Sequence, residues 1–312
     1  MKDLLILGGG MAGMTAALYA SRAQLDFKLI TRDSYDFGQI GDAILVENYP
    51  CVDFKSGFDL AMGLHNQLES NNVEIEEKEI KNIYHTNEMQ WTVEYEDGTS
   101  EETKSIIYAL GARHRELNCE IEDGIPIHYC ALCDGNLYQN ADVGIIGGGD
   151  SAFTQAEYLS KICRNVNIIM CDDNITANQA IVNRVLQTEN VSILKNWPVH
   201  KIKYYTLSTG EKCIDCITTF KTEDYTAENG VVVNGVFVAI GMIPNTQILT
   251  ESSFQKKILD KAGYIIADEM GKTELSGFFA AGDVRQKQLR QSITAAADGA
   301  NAVQSVIQYL KS

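Results

Sequence analysis

One short pattern occurs twice in this chain, near its start and near its middle, and it restricts the fold more than any other feature. Leu4-Leu5-Ile6-Leu7 runs into Gly8-Gly9-Gly10-Met11-Ala12-Gly13 and then a helix-like stretch over residues 14–23. Val143-Gly144-Ile145-Ile146 runs into Gly147-Gly148-Gly149-Asp150-Ser151-Ala152, a helix-like stretch to about residue 161, and an apolar strand over 166–170. A continuous apolar run reads as a strand buried on both faces of a parallel sheet. Strand, glycine turn and helix together form a dinucleotide-binding unit. Gly8 permits the tight turn, Gly10 lets backbone approach a pyrophosphate, and Gly13 lets helix and strand pack closely. The anion would sit on the helix N-terminus. Recurrence of the pattern predicts an α/β chain in which one nucleotide-binding unit is used twice.

The first unit continues through a strand at 27–30. The acid that usually takes a ribose is expected about twenty residues after the glycines. Thr31 holds the strand end and Asp33 follows two residues later, which leaves that position open. Residues 54–70 read as an amphipathic helix, and 73–84 and 90–96 as strands. Asp97-Gly98 is a hairpin signal. Further strands are expected at 105–112, 191–194, 199–207, 212–221 and 236–241, with turns at Thr209-Gly210 and Asn229-Gly230. A late strand ends at Gly282-Asp283. The final helix spans 292–309, its alanine-rich first half suited to close packing. Polar stretches after Ala112 and at Met242-Ile243-Pro244-Asn245 are candidate crossings between domains.

Between the repeats lies Cys130-Ala131-Leu132-Cys133-Asp134-Gly135. Two thiols at this spacing suit a dithiol that cycles between reduced and oxidised forms, or half of a zinc site. Near a helix N-terminus one such thiol can become a thiolate at neutral pH. Asp134 is a carboxylate placed to move protons. A second pair, Cys213 and Cys216, falls inside a predicted strand, where positions three apart face opposite sides and do not close easily on one metal. His65, His85, His114, His128 and His200 show no metal-ligand spacing. His128 is near enough to tune the dithiol or simply to pack.

The 312 residues suffice for two domains. A net charge of −16 argues against nucleic acid and anionic membrane as partners. No apolar run is long enough to span a bilayer, and Met1-Lys2-Asp3 leads directly into a strand, so a cytoplasmic protein is expected. The eight cysteines would then be mostly reduced.

Taken in order, Gly8 to Gly13, residues 46–50, Cys130 to Gly135, Gly147 to Ala152, residues 236–241, Gly282-Asp283 and Arg290-Gln291-Ser292 resemble the low-molecular-weight thioredoxin reductase family, from Leu4 to Tyr309. The resemblance implies two Rossmann-like, three-layer ββα nucleotide-binding domains, one inserted in the other, as in class II pyridine nucleotide-disulfide oxidoreductases. An FAD domain would comprise residues 1–112 and 244–312, and a dithiol-bearing, pyridine-nucleotide-binding-like domain residues 113–243. It further implies a homodimer that binds FAD and no metal, and that reduces thioredoxin. By that analogy Cys133 faces the flavin, Cys130 attacks the partner disulfide and Asp134 is the acid/base. Gly8, Gly10, Gly13, Gly38, Gln39, Asn48, Gly282, Asp283, Arg290, Gln291 and Ser292 match flavin-site positions.

One departure concerns the electron donor. NADPH-using relatives carry two adjacent arginines after the strand equivalent to 166–170, and a third four residues on. Here Cys171, Asp172 and Thr176 occupy those places. A phosphate dianion needs several cationic donors, and Asp172 repels it. NADH would rely on an acid at the strand end, where Met170 stands. A branch of the family in anaerobic bacteria takes electrons from ferredoxin instead. Ferredoxins of the plant type lie near −400 mV and thioredoxin near −270 mV, a fall of about 130 mV or roughly 6 kcal/mol for two electrons. Ferredoxin is therefore expected ahead of NADH and NADPH. Arg113/Arg115, Lys161/Arg164 and Arg285/Lys287 are candidate basic patches for docking it. The competing class is a metal-binding or scaffold protein built on four thiolates from Cys130, Cys133, Cys213 and Cys216.

Overall fold

A computed structural model describes residues 1–43, 46, 48–52, 56–87, 90–210, 212–221, 226–250 and 255–311. The chain divides into two compact units, Met1–Arg113 with Ile243–Ser312, and His114–Met242.

In the first unit, Leu4–Leu7 is the middle strand of a five-stranded sheet, ordered Phe278–Ala280, Ile106–Tyr108, Leu4–Leu7, Phe27–Thr31, Ile75–Glu77. All its pairings are parallel. Alternate residues of Leu4–Leu7 enter different cores, which is why the run is apolar throughout. Leu4 and Ile6 pack under helices Met11–Arg22, Gly57–Ser70 and Ser292–Tyr309. Leu5 and Leu7 pack with Trp91, Val93, Tyr108 and Phe278. Trp91 and Val93 belong to an antiparallel sheet of Ile80–Asn87, Gln90–Tyr95 and Ser100–Thr103 that covers the other face. Helices, parallel sheet and antiparallel sheet make three layers. The alanine-rich start of Ser292–Tyr309 meets Met11–Arg22 so closely that a Cβ on Gly299 would strike the Ala12 carbonyl.

The second unit repeats the plan. Its parallel sheet runs Ile127–His128, Gly235–Val238, Asp142–Ile146, Asn165–Ile169, Val191–Leu194. Helices Asp150–Leu159 and Gln179–Leu186 share the core of one face. Strands Glu120–Ile121, Lys201–Thr206, Lys212–Lys221 and Thr226–Val233 form the second sheet. The fold is thus the α/β, doubly Rossmann-like arrangement expected.

Several local expectations need correction. Asn229-Gly230 is no turn: both lie in strand Thr226–Val233, and Gly230 is small because a Cβ there would collide with the Asp215 carboxylate of the neighbouring strand. Residues 73–84 are not one strand but parts of Ile75–Glu77 and Ile80–Asn87, which join different sheets. The helix expected at 54–70 is Gly57–Ser70, started by the Ser56 hydroxyl accepting the Asp59 N–H at 3.1 Å. Phe54 and Lys55 lie outside the described residues. Helix Gln179–Leu186 is absent from the sequence reading, although Asn178 caps it and its apolar residues, with Val182 and Val185 buried, keep to one face. Among the described residues no helix is long and apolar enough to cross a membrane.

Candidate active site

Each unit brings its own glycine turn and its own chemistry. In the first, Gly8 has φ +116°, and a Cβ there would press on the Ala109 carbonyl. A Cβ on Gly13 would strike the Gly8 carbonyl. Strand and helix therefore approach more closely than side chains allow. Gly10 differs, since a Cβ would meet only the Phe37 carbonyl oxygen, at 3.6 Å. It caps helix Met11–Arg22 with no side-chain hydrogen bond and no acid in the first turn. The free N–H groups and the helix dipole make this terminus suited to an anion.

Gly282 abuts that terminus, its absent Cβ facing Ala12 Cβ at 2.8 Å. Asp283 is thereby set beside the first glycine turn. Its Oδ1 is buried without a hydrogen bond, with Lys287 Nζ 3.5 Å away. Burial raises the Asp283 carboxyl above the usual carboxylate range, against the pull of Lys287 and Arg290. The final helix contributes Asp298, which sequence reasoning missed. Its Oδ2 accepts the Gly282 N–H at 3.1 Å and Lys287 Nζ at 2.9 Å, while Oδ1 accepts Arg285 Nη1 at 2.7 Å. In sequence Asp298 looks like a surface acid in an alanine-rich helix. Only the tertiary contacts mark it. Arg285 and Lys287 are therefore not a solvated docking patch, because both are buried in this ion network.

Of the other predicted positions in this unit, Gly38, Gln39, Asn48 and Gln291 are held by hydrogen bonds. Asn48 Nδ2 donates to Gln291 Oε1 at 2.9 Å. Gln291 caps helix Ser292–Tyr309 in a capping box with Thr294. Arg290 lies over the Tyr264 ring at 4.2 Å, its Nε buried without a hydrogen bond. Gln39 Nε2 donates to the Ala112 carbonyl at 2.7 Å, and the Gly38 N–H to Asp36 Oδ1 at 3.0 Å. Asp33 spends its Oδ1 on the Tyr35 N–H within its own turn, and Thr31 stands against Gly9. Glu47, within the predicted 46–50 loop, lies outside the described residues.

In the second unit, edge strand Ile127–His128 leads into the dithiol. Cys130 and Cys133 are joined as a disulfide, with Cα atoms 5.3 Å apart. Cys130 caps a single helical turn, Ala131–Asp134, its carbonyl accepting the N–H groups of Cys133 and Asp134 at 3.1 and 3.0 Å. Gln155 Oε1, on helix Asp150–Leu159, takes the Ala131 N–H at 3.2 Å. Gly135 lets the turn press onto that helix, since a Cβ would crowd Leu159 and Tyr158. Leu132, between the cysteines, and Leu137 are exposed. Asp134 is buried, Oδ2 lying 2.9 Å from His128 Nδ1 and Oδ1 without a partner.

The second glycine turn is built differently at its mouth. Helix Asp150–Leu159 carries an acid in its first turn, Asp150, whose Oδ1 accepts the Asn178 N–H at 2.6 Å. The Thr176 N–H bonds the Gly148 carbonyl at 3.0 Å, and a Cβ on Gly148 would meet Met170 Cε at 2.8 Å. Cys171 and Asp172 are exposed, Asp172 Oδ1 accepting the Asn174 N–H. No cationic side chain occurs from 170 to 178. Arg164, a docking candidate, is instead paired with Asp142 by two contacts of 2.8 Å.

Cys213 and Cys216 are buried and joined in no disulfide, and burial pushes the Cys216 thiol up to about 12. With Cys130 and Cys133 bonded to each other, the four sulfurs form no common site. Among the described residues no group of three or more His, Cys, Asp or Glu is placed to hold a metal ion.

A sequence model of the pyridine nucleotide-disulphide oxidoreductase family matches residues 2–299. A thioredoxin reductase of Listeria innocua is 36% identical over 312 residues, covering 99% of this chain and 94% of its own. A protein of Clostridium pasteurianum, described as a 34.2 kDa protein in a rubredoxin operon, is 36% identical over 313 residues, covering 99% and 97%. Among solved structures, the thioredoxin reductase of Streptococcus pyogenes superposes with a TM-score of 0.85 at 34% identity, over 100% of this chain and 98% of that one.

Proposed function

This chain belongs to the pyridine nucleotide-disulphide oxidoreductase family, and from that premise we propose that it reduces the disulfide of thioredoxin or a thioredoxin-like protein, drawing electrons through FAD from ferredoxin. It is an oxidoreductase with FAD as its cofactor. The first unit fits that group on two counts. Its glycine turn leads into a helix N-terminus with no side-chain cap and no acid in its first turn, and Asp283 keeps a buried oxygen without a hydrogen bond. Gly8, Gly10 and Gly13 would hold the pyrophosphate there, and Asp283 a hydroxyl of the flavin chain. Gly38, Gln39, Asn48, Gly282, Arg290, Gln291 and Ser292 would line the rest. Bound FAD supplies the electron pair that opens the Cys130–Cys133 disulfide.

The single observation that carries the reading is that disulfide, closed across one helical turn with a buried carboxylate at its end. Reduction of the pair takes up two electrons and two protons. Cys130, as thiolate, attacks a sulfur of the partner disulfide and forms a mixed disulfide, and the departing partner sulfur is protonated. Cys133 then attacks Cys130, re-forms the internal disulfide, and the second partner sulfur leaves as a thiol. Two protons pass from enzyme to partner, and Asp134 carries them. Two copies of the chain would act as a homodimer in the cytoplasm.

The donor follows from the mouth of the second glycine turn. Cys171, Asp172 and Thr176 offer a 2′-phosphate no cation, and Asp172 opposes it electrostatically. Anaerobic titration of the flavin with NADPH, NADH and reduced ferredoxin tests this. Bleaching is expected with ferredoxin. Rapid bleaching at micromolar NADPH overturns the donor assignment, and bleaching by NADH moves it to that nucleotide. A preparation that binds no flavin, or that turns over with serine at both cysteines, overturns the reductase reading itself.

A further inference from the structure

The dithiol turn is backed by a chain of three polar side chains, His128 and Asp134 buried and Tyr138 half-buried. His128 Nδ1 lies 2.9 Å from Asp134 Oδ2, and His128 Nε2 lies 2.7 Å from the Tyr138 hydroxyl. His128 is 3% exposed and Asp134 9%. The three come from successive pieces of chain: the edge strand entering the dithiol, the helical turn that carries it, and the 3-10 turn Gly135–Tyr138 that follows. Their positions are fixed by packing. Phe237, directly opposite His128 in the sheet, holds both rings, at 5.2 Å from His128 and 5.7 Å from Tyr138. Gly235 leaves room for Tyr138, because any Cβ there would overlap the phenol ring.

We propose that His128 is a positioning residue for the dithiol chemistry, its Nδ1–H tying down Asp134 Oδ2 so that Oδ1 is the one oxygen on which the proton exchanged with the sulfurs is held, and that Tyr138 fixes the imidazole in the tautomer this requires. The inference rests on the disulfide-reductase reading and adds to it the origin of the Asp134 geometry.

The chemistry of the chain is directional. A carboxylate oxygen can only accept, so His128 must donate from Nδ1. The neutral ring then has a lone pair at Nε2, and the Tyr138 O–H donates to it. Burial, with the Asp134 charge as the lesser cause, pushes the Tyr138 phenol up to about 12, so it keeps its proton throughout neutral pH. Which ring nitrogen of a histidine carries the proton is set by the partner of the other one. Asp134 Oδ1, by contrast, is buried with no hydrogen bond. A buried oxygen left unmatched costs stability, and its retention beside a reactive pair is accounted for by proton transfer.

The other groups packed around the network do not replace it. Helix Asp150–Leu159 presents Gln155, which is bound to the Ala131 N–H, and Tyr158, which lies against Gly135. Phe237 carries no charge. Asp134 and Tyr138 are the titratable groups bonded to His128.

The test uses the FAD-loaded enzyme and dithiothreitol, so it depends on neither thioredoxin nor the electron donor. The rate at which dithiothreitol opens the Cys130–Cys133 disulfide is followed from about pH 6 to 9 by acid quench, alkylation and peptide mass at those two cysteines. His128→Ala is expected to slow opening about tenfold and to change the pH profile, a fraction of the ~10²–10⁴-fold that general acid–base catalysis supplies. His128→Asn, which keeps an N–H toward Asp134, should stay within about threefold of the parent, and Tyr138→Phe should fall between the two. In an Asp134→Asn background, His128→Ala should have no further effect, since residues that act as a unit are not additive. The proposal is overturned if the His128→Ala and parent profiles coincide, if His128→Asn is as slow as His128→Ala, or if the double variant loses the product of the two single losses. Should His128→Ala fail to fold, His128→Asn and Tyr138→Phe still decide. A parent enzyme that opens normally with dithiothreitol yet reduces no protein disulfide would sink the reductase reading instead.

Discussion

The two units share a five-stranded parallel sheet, a covering second sheet and a glycine turn, yet the turns differ where a ligand would arrive. At Gly10 the helix N-terminus has no side-chain cap, and Asp283 stands nearby with its Oδ1 buried and 3.5 Å from Lys287 Nζ. At Gly149 the helix begins with Asp150, whose carboxylate already takes a loop N–H, and Thr176 bonds the turn carbonyl. Neither helix terminus is capped by a side chain; the first has no acid in its opening turn, whereas the second carries Asp150, whose charge disfavours an anion. The backbone alone does not decide what a nucleotide fold binds. The charges within the first helical turn and at the next strand end do. With no cationic side chain from 170 to 178, the second unit still supports the dithiol turn, which packs on helix Asp150–Leu159 through Gln155 and Gly135.

The comparison can be broken or sharpened in several ways. The largest effect should come from Cys130→Ser or Cys133→Ser, each cutting protein-disulfide turnover by about 10³-fold or more while leaving the flavin spectrum intact, since a nucleophile of the pair is lost. Retained turnover would detach the chemistry from the second unit. Next is a matched pair of alanines. Gly10→Ala should weaken FAD binding about tenfold, because its methyl takes the space of the approaching pyrophosphate. Gly149→Ala should leave flavin content and turnover unchanged. If Gly149→Ala blocks electron entry, the second turn holds a nucleotide after all, and the contrast fails.

A smaller gain is expected on installing Arg at both Cys171 and Asp172. NADPH-driven flavin reduction should rise about tenfold, as two cationic donors replace a neutral and an acidic side chain. No change would mean that the loop of residues 171–178, rather than its charge, closes the site. The smallest effect is on stability, and its sign differs between units. Burial raises the Asp283 carboxyl, so the folded apoprotein holds that proton more tightly than the unfolded chain, and stability falls as pH rises through the raised value. Asp142 is lowered, chiefly by its Arg164 hydrogen bonds, so its contribution is present above the ordinary carboxylate range and lost as pH falls through the lowered value. Asp283→Asn should therefore raise the apoprotein melting temperature at neutral pH by about 2 °C, whereas Asp142→Asn should lower it. Equal signs would refute the assignment.

Much of this is legible in the sequence. Leu4–Leu7 and Asp142–Ile146 are strands because apolar runs of that length ending in glycines have few other solutions. The final helix falls on Ser292–Tyr309 as its periodicity predicts. Glycine misled at Gly230, where it makes room for Asp215 across the sheet rather than turning the chain. Helix Gln179–Leu186 is short, and its signals are an Asn178 cap and apolar residues kept to one face over only two turns. Arg285 and Lys287 looked like surface charge because their partner, Asp298, comes from a different element.

The sequence by itself determined the repeated strand–glycine–helix unit, the dithiol between the two glycine turns and the absence of cationic side chains from 170 to 178, since each is written in residues close together along the chain. Tertiary structure alone decided that Asp283 Oδ1 is buried without a hydrogen bond, that Asp298 binds Arg285 and Lys287, and that His128 stands between Asp134 and Tyr138. The physical reason is range. Turn geometry and strand hydrophobicity are local, whereas burial of a charge and the partner that satisfies it depend on which distant segments the fold packs together.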